Sequence, residues 1–287
     1  TDLIILALAY SLTIPNQFFV ALSYYIVINS QKLDIDYWKI LRLNIVMIFY
    51  DVVLPWSVLV SGLRWHRYNE YSGKPGKTIT SIAYLKIFDI WITLLFSFGF
   101  ISLFSSSTIE GQTPSIIALI LLISLVLYLT PTISEFIQKK LPPPRDNCES
   151  TNNSVFRQIC IGLQALSNFR NLTFKHQFSL IILGVLSQII HYLGYILFAE
   201  SVGINLTLSQ LGAVRAVILI ATNVPVNLGV GVSLREVSLV SLLAALNVPL
   251  EKAVALSIVM LSKSLFFGVV GGLIEGFKFF QGRENIT

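Results

Sequence analysis

Charge is scarce in this sequence. Asp, Glu, Lys and Arg make up 12% of its 287 residues, about half the share usual in soluble domains. Cysteine is represented only by Cys148 and Cys160, both in the most basic loop, so neither a disulfide framework nor a metal site is indicated. The three histidines, His66, His176 and His191, are far apart and form no ligand cluster. A Ser/His/Asp grouping, a cysteine nucleophile in context and a GxxxxGK[ST] loop are also missing, so catalysis has no visible support and the chain is not expected to be an enzyme. What is abundant is apolar: 54% of the residues are hydrophobic. A soluble fold of this length cannot hide so much apolar surface, which excludes soluble enzymes and nucleic-acid-binding modules. Disorder is excluded by the same richness in Ile, Leu, Val and Phe. An all-α, polytopic membrane protein remains.

A bilayer crossing needs about 20 apolar residues. Five segments qualify: Leu3 to Asn29, Ile79 to Ser105, Pro114 to Ile137, Phe178 to Ala199 and Pro249 to Phe280. Two longer stretches, Trp38 to Tyr71 and Thr207 to Asn247, are interrupted near the middle, the first at Pro55 and the second at Pro225, Gly229 and Gly231. Proline removes a helix hydrogen bond and glycine frees φ, so each stretch is expected to run helix, break, helix. Charge decides between a kinked crossing and a hairpin that returns to its own side. As hairpins they place Lys32, Lys39, Arg42, Arg64, Arg67, Lys74, Lys77 and the basic residues from Lys139 to Lys175 on one side, and leave only Arg215, Arg235 and Lys252 on the other. The basic side is then cytoplasmic in a cell membrane. Thr1 lies outside, which calls for one more crossing upstream.

The two interrupted stretches match one another. Pro55 pairs with Pro225 at an offset of 170 and Arg64 with Arg235 at 171, while Pro75 and Pro249 open the spans that follow. This predicts two inverted repeats, each with a re-entrant hairpin, within one transmembrane domain: about 1–110, then a connector over 111–172, then about 173–287. Inverted repeats with broken helices point to a binding site near the bilayer midplane. The connector carries a polar loop from Lys139 to Ser154 and an amphipathic segment from Val155 to Asn171 suited to the cytoplasmic interface.

Arg64 and Arg235 each follow a break, where exposed backbone N–H groups already favour an anion. Arginine suits phosphate because its planar fork stays charged in low dielectric. Two plainer readings stay open: Arg64 as a cytoplasmic interfacial anchor, and Arg235 paired with adjacent Glu236 at the outer surface. Lys263 lies deep in the last span and must face the bundle interior or a wet cavity. Lys86 and Asp89 share one helix face at i, i+3, as an internal ion pair or as part of the site. Asn223 and Asn227 flank Pro225, where they satisfy freed backbone groups or meet a substrate. Arg215 either snorkels outward or points at the same cavity. His191 reads as a helix–helix hydrogen bond.

One pattern combines these features: a Pro break, a glycine cluster, an Arg-Glu pair, then a span with a basic residue that ends in Gly-Gly. Here it is Val224-Pro225, Gly229, Gly231, Arg235-Glu236, Ala253 to Leu261, Lys263 and Gly271-Gly272. In the first half Leu54-Pro55, Arg64-Trp65 and Lys86 stand in matching places. The chain so resembles the lysylphosphatidylglycerol synthase transmembrane family, a flippase-like group, over nearly its whole length. Val230 stands where the family has a second glycine, one extra residue precedes Arg235, and Leu85 stands where an acidic residue often precedes the basic one. The resemblance implies transfer of a lipid between leaflets, in some members an aminoacylated phosphatidylglycerol made by a fused synthase domain. The expected partners are therefore membrane lipids, anionic to match the basic residues, and a separate cytoplasmic lipid-modifying enzyme, with no cofactor and no nucleic acid. The rival readings are a transporter of a small soluble anion and a non-transporting membrane partner of a glycosyltransferase or synthase.

Overall fold

A computed structural model describes residues 2–54, 57–104, 174–223 and 234–284 of the chain; among them are eight helices and no strand. The helices are α1 (Leu3–Ser30), α2 (Tyr37–Val53), α3 (Ser57–Ser72), α4 (Pro75–Phe104), α5 (Phe174–Ser201), α6 (Leu208–Asn223), α7 (Leu234–Ala245) and α8 (Leu250–Glu284). Four of them contain stretches long and apolar enough to cross a membrane: Leu3–Ser30, Pro75–Ile101, Lys175–Ser201 and Leu250–Phe277. The span expected over 114–137, the connector, the amphipathic segment, and Pro55, Pro225, Asn227, Gly229 and Gly231 lie outside the described residues.

Local chemistry sets the helix ends. Asp2 caps α1 by accepting from the Ile4 and Ile5 amides, and Asp36 caps α2 by accepting from the Trp38 amide. Pro75 opens α4 at the position where a missing N–H costs nothing. Gly73 and Gly203 take positive φ just beyond α3 and α5, where a side chain would be strained.

The central pair is α1 and α5, which pack along one another in opposite directions. The Asp2 amide at the start of α1 donates to the Ser201 carbonyl at the end of α5 at 3.1 Å, and midway Ser187 donates to Asn16 Oδ1 at 2.7 Å. Each interrupted stretch leaves one end of this pair and comes back to it. After the α2–α3 hairpin, Lys74 Nζ donates to the Lys32 carbonyl at 3.0 Å and Lys77 Nζ to the Gln31 carbonyl at 3.3 Å. After the α6–α7 hairpin, Lys252 Nζ donates to the Gly203 carbonyl at 2.8 Å. The two hairpins therefore enter the bundle from opposite ends.

The remaining wide interfaces are α2 with α8 and α4 with α6. Exchanging α1–α4 with α5–α8 converts one into the other and returns α1–α5 to itself. The apolar cores obey the same exchange. One cluster draws on α1 to α4 and borrows Leu180 from α5; the other draws on α5 to α8 and borrows Ala9 from α1. Ala9 and Leu180 stand at the offset that separates Asn16 from Ser187, 171 residues. Small residues bring the exchanged pairs close. A Cβ on Gly212 of α6 would sit 2.6 Å from the Ser97 carbonyl oxygen of α4, and one on Gly271 of α8 would strike the Ile45 carbonyl of α2. Such approaches let packing contacts replace the hydrophobic drive that a bilayer does not supply.

The distribution of polarity suits lipid as solvent. Phe178, Ile182, Ile189 and Leu193 form an exposed apolar stripe on α5, whereas Asn16, Thr93, Ser97 and Gln188 are buried.

Candidate functional site

Arg64, on the returning arm of the first hairpin, points inward. Its Nη1 donates to Tyr24 Oη of α1 at 2.8 Å, and the guanidinium lies over the same ring. Tyr24 stacks on Tyr68, whose hydroxyl donates to Asn44 Oδ1 of α2 at 3.1 Å. The arginine is thus held by a phenol and not by a carboxylate, and its Nε is buried without an acceptor. The interfacial-anchor reading of Arg64 does not survive this geometry.

The second half repeats the arrangement with other residues. Arg215 of α6 turns into the bundle, its Nη2 donating to Gln188 Oε1 at 3.2 Å and its guanidinium lying over the Tyr195 ring at 5.2 Å. Gln188 in turn donates through Nε2 to Thr93 Oγ1 of α4 at 2.8 Å. Arg215 Nε is also buried without an acceptor. Arg235 pairs with Glu236, Nη2 to Oε1 at 2.6 Å and Nε to Oε1 at 2.8 Å. The pairing is one of the sequence readings, but not at the outer surface where that reading put it: Glu236 is buried.

Lys263 stands over the Phe198 ring at 5.9 Å and, among the described residues, has no carboxylate within ion-pair distance. It lines a cavity between α1, α5 and α8 together with Thr13, Asn16, His191, Tyr195 and Phe198; there is room there for about one water molecule. His191 bonds Asn16 through Nε2 at 3.2 Å, the helix–helix contact expected of it. Because Asn16 Oδ1 already accepts from Ser187, the amide nitrogen is the donor and the imidazole proton sits on Nδ1.

These groups form one electrostatic system. Asp51 of α2 feels the charges of Arg64 and Lys86, and Asp89 those of Lys86, Arg215 and Arg64. Lys263 feels Arg235 and Arg215, and both Arg215 and Lys263 act on His191. Cations on α3, α4, α6 and α8 thus act on Asp51, Asp89 and His191, while Arg235 of α7 pairs with Glu236. Asp51, Lys86 and Asp89 are exposed. Lys86 and Asp89 share a helix face but do not close to an ion pair, so the simple internal pair expected from their spacing is absent. Ionisable groups turned into a membrane bundle, as Arg64, Arg215 and Lys263 are, mark ligand pathways.

Of the residues singled out in the sequence, Arg64, Arg215, Arg235, Glu236 and Lys263 thus turn into the bundle, while Lys86 and Asp89 are exposed on α4. Asn223 ends α6, and its side chain, like Asn227, lies outside the described residues. The sequence reading passed over Asp51, Tyr24, Asn16 and Gln188. Each is a polar interruption of an apolar helix, and that signal alone was available to find them. Among the described residues no group of His, Cys, Asp and Glu suits a metal ion.

Neither the curated proteins nor the solved structures include a match to this chain. A family described as "Lysylphosphatidylglycerol synthase TM region" matches residues 1–272. That match spans Arg64, Lys86, Arg215, Arg235 and Lys263, and the chain belongs to the lysylphosphatidylglycerol synthase transmembrane family.

Proposed function

We propose that this integral membrane protein moves an anionic lipid, or the anionic head group of a lipid-linked molecule, between the leaflets of the cell membrane. One observation carries the reading: Arg64, Arg215 and Lys263 turn into the bundle, and among the described residues none of them has a carboxylate within ion-pair distance. A phosphate entering among them supplies negative charge, while its acyl chains stay against apolar surfaces such as the α5 stripe. The family description, which refers to a phosphatidylglycerol derivative, supports the same class of ligand.

The antiparallel α1–α5 pair, the hairpins entering from opposite ends and the exchange of α2–α8 with α4–α6 support inverted repeats with re-entrant hairpins. In that architecture, access alternates as one unit moves against the other about a fixed site. The activity is transport with no covalent step. The loops carrying Lys74 and Lys77 are cytoplasmic in this reading and offer a docking face to a separate lipid-modifying enzyme.

Mass spectrometry of lipids that copurify with gently solubilised protein tests the reading. Wild type is expected to be enriched in an anionic lipid, and a folded Lys263→Ala variant to lose that enrichment. Equal, membrane-like profiles from both would overturn the lipid assignment and favour a small soluble anion.

A further inference from the structure

Guanidinium groups are held in two different ways in this molecule. Arg67, at the edge of the bundle, pairs with Glu275 and lies 3.7 Å from Glu70. Arg235 pairs with Glu236. Arg215, in the interior, is instead held by the amide of Gln188. Gln188 is 1% exposed and spans three helices: it sits on α5, donates to Thr93 of α4 and accepts from Arg215 of α6. Because its NH2 group is committed to Thr93, its carbonyl oxygen is fixed toward Arg215. An amide in this place aims the guanidinium without closing an ion pair on it. A carboxylate would aim it equally well but would compete with any incoming anion.

We propose that Gln188 is a positioning residue for anion binding, holding Arg215 in the bundle through a neutral amide so that its guanidinium stays free of an ion pair until the ligand binds. This rests on the anionic-lipid reading above. Gln188→Glu is nearly isosteric, and the Thr93 hydroxyl can reverse to donate to it. A purely structural role is therefore satisfied or strengthened by the change, whereas a charge-preserving role is lost.

The experiment compares binding of short-chain phosphatidylglycerol and short-chain phosphatidylcholine to the solubilised full chain, with thermal unfolding measured in parallel. Wild type is expected to prefer phosphatidylglycerol, and Q188E to unfold no earlier than wild type yet bind phosphatidylglycerol about tenfold or more weakly. Wild type that does not distinguish the two lipids overturns the underlying lipid reading, and this role with it. Wild type that prefers phosphatidylglycerol beside a Q188E that prefers it equally overturns the role of Gln188 alone. If Q188E does not fold, Q188L and R215Q are compared singly and together. Action through Arg215 requires that Q188L weaken phosphatidylglycerol binding in the wild-type background and leave it unchanged in the R215Q background; additive losses overturn the proposal.

Discussion

Ser187 donates a 2.7 Å hydrogen bond to Asn16, and the two residues are 171 positions apart, the separation that also relates Arg64 to Arg235. In the proposed inverted-repeat architecture such a contact between counterparts lies beside the axis that relates the two units. The same contact fixes the Asn16 amide so that it donates to His191, which places a polar seam at the centre of the α1–α5 pair, beside the cavity that holds Lys263.

Asn16→Leu removes both bonds of that seam and strands the Ser187 hydroxyl and the His191 ring among apolar neighbours. The expected loss of stability is about 1–2 kcal/mol, the upper part of the range for polar contacts between membrane helices. Thermal or denaturant unfolding in detergent measures it. Unchanged stability would mean that the seam contributes nothing to the pairing.

The α2–α8 interface makes a sharper prediction, because two glycines of one helix differ in their surroundings. Gly271 meets the Ile45 carbonyl, whereas a Cβ at Gly276 meets nothing within 4 Å. Gly271→Val is expected to destabilise by about 1–3 kcal/mol through overpacking, and Gly276→Ala to leave the yield of monodisperse protein unchanged. Equal yields from the two variants would contradict the close approach.

Removing Arg235 has two consequences that can be separated. Arg235→Ala leaves the buried Glu236 without its guanidinium, at an expected cost of about 3 kcal/mol or more. Adding Glu236→Gln restores most of that stability by removing the stranded charge, but not the affinity for an anionic lipid. Unfolding measurements on the single and double variants test this; failure of the second change to rescue the first would contradict the pair's buried setting.

The path of the hairpins predicts sidedness. In a chain freed of Cys148 and Cys160, cysteines introduced at Lys74 and Lys252 are expected to react with a membrane-impermeant maleimide from opposite faces of sealed vesicles, Lys74 from the cytoplasmic one. Labelling of both from one face would contradict hairpins that enter from opposite ends.

Much of this arrangement was legible in the sequence because a bilayer imposes strong rules. Length and apolarity located the four described spans, whereas the breaks expected at Pro55 and from Pro225 to Gly231 lie outside the described residues. The lysine and arginine bias selected hairpins over single crossings, and the contacts of Lys74 with Lys32 and of Lys252 with Gly203 are compatible with that selection. Arg64, Arg215, Arg235 and Lys263 stood out because a cation near an apolar span needs a reason. Their partners did not stand out, since a tyrosine, an asparagine or a glutamine costs little in a helix and reveals its role only across an interface. Tyr24 and Gln188 therefore became visible only once α1 met α3 and α5 met α6. The missing Lys86–Asp89 pair has a similar cause: sharing a helix face brings two side chains near each other, but Asp89 also feels Arg215 and Arg64 from other helices.

The most direct test of lipid transport is reconstitution of the full chain into vesicles carrying fluorescent phosphatidylglycerol or fluorescent phosphatidylcholine, with reductive quenching of the outer leaflet. In protein-free vesicles about half of either label should remain protected. With wild-type protein the protected phosphatidylglycerol signal is expected to fall well below that of phosphatidylcholine, and Lys263→Gln with Arg215→Gln is expected to restore the protection. Protection of phosphatidylglycerol in wild-type vesicles equal to that in protein-free ones would contradict the account.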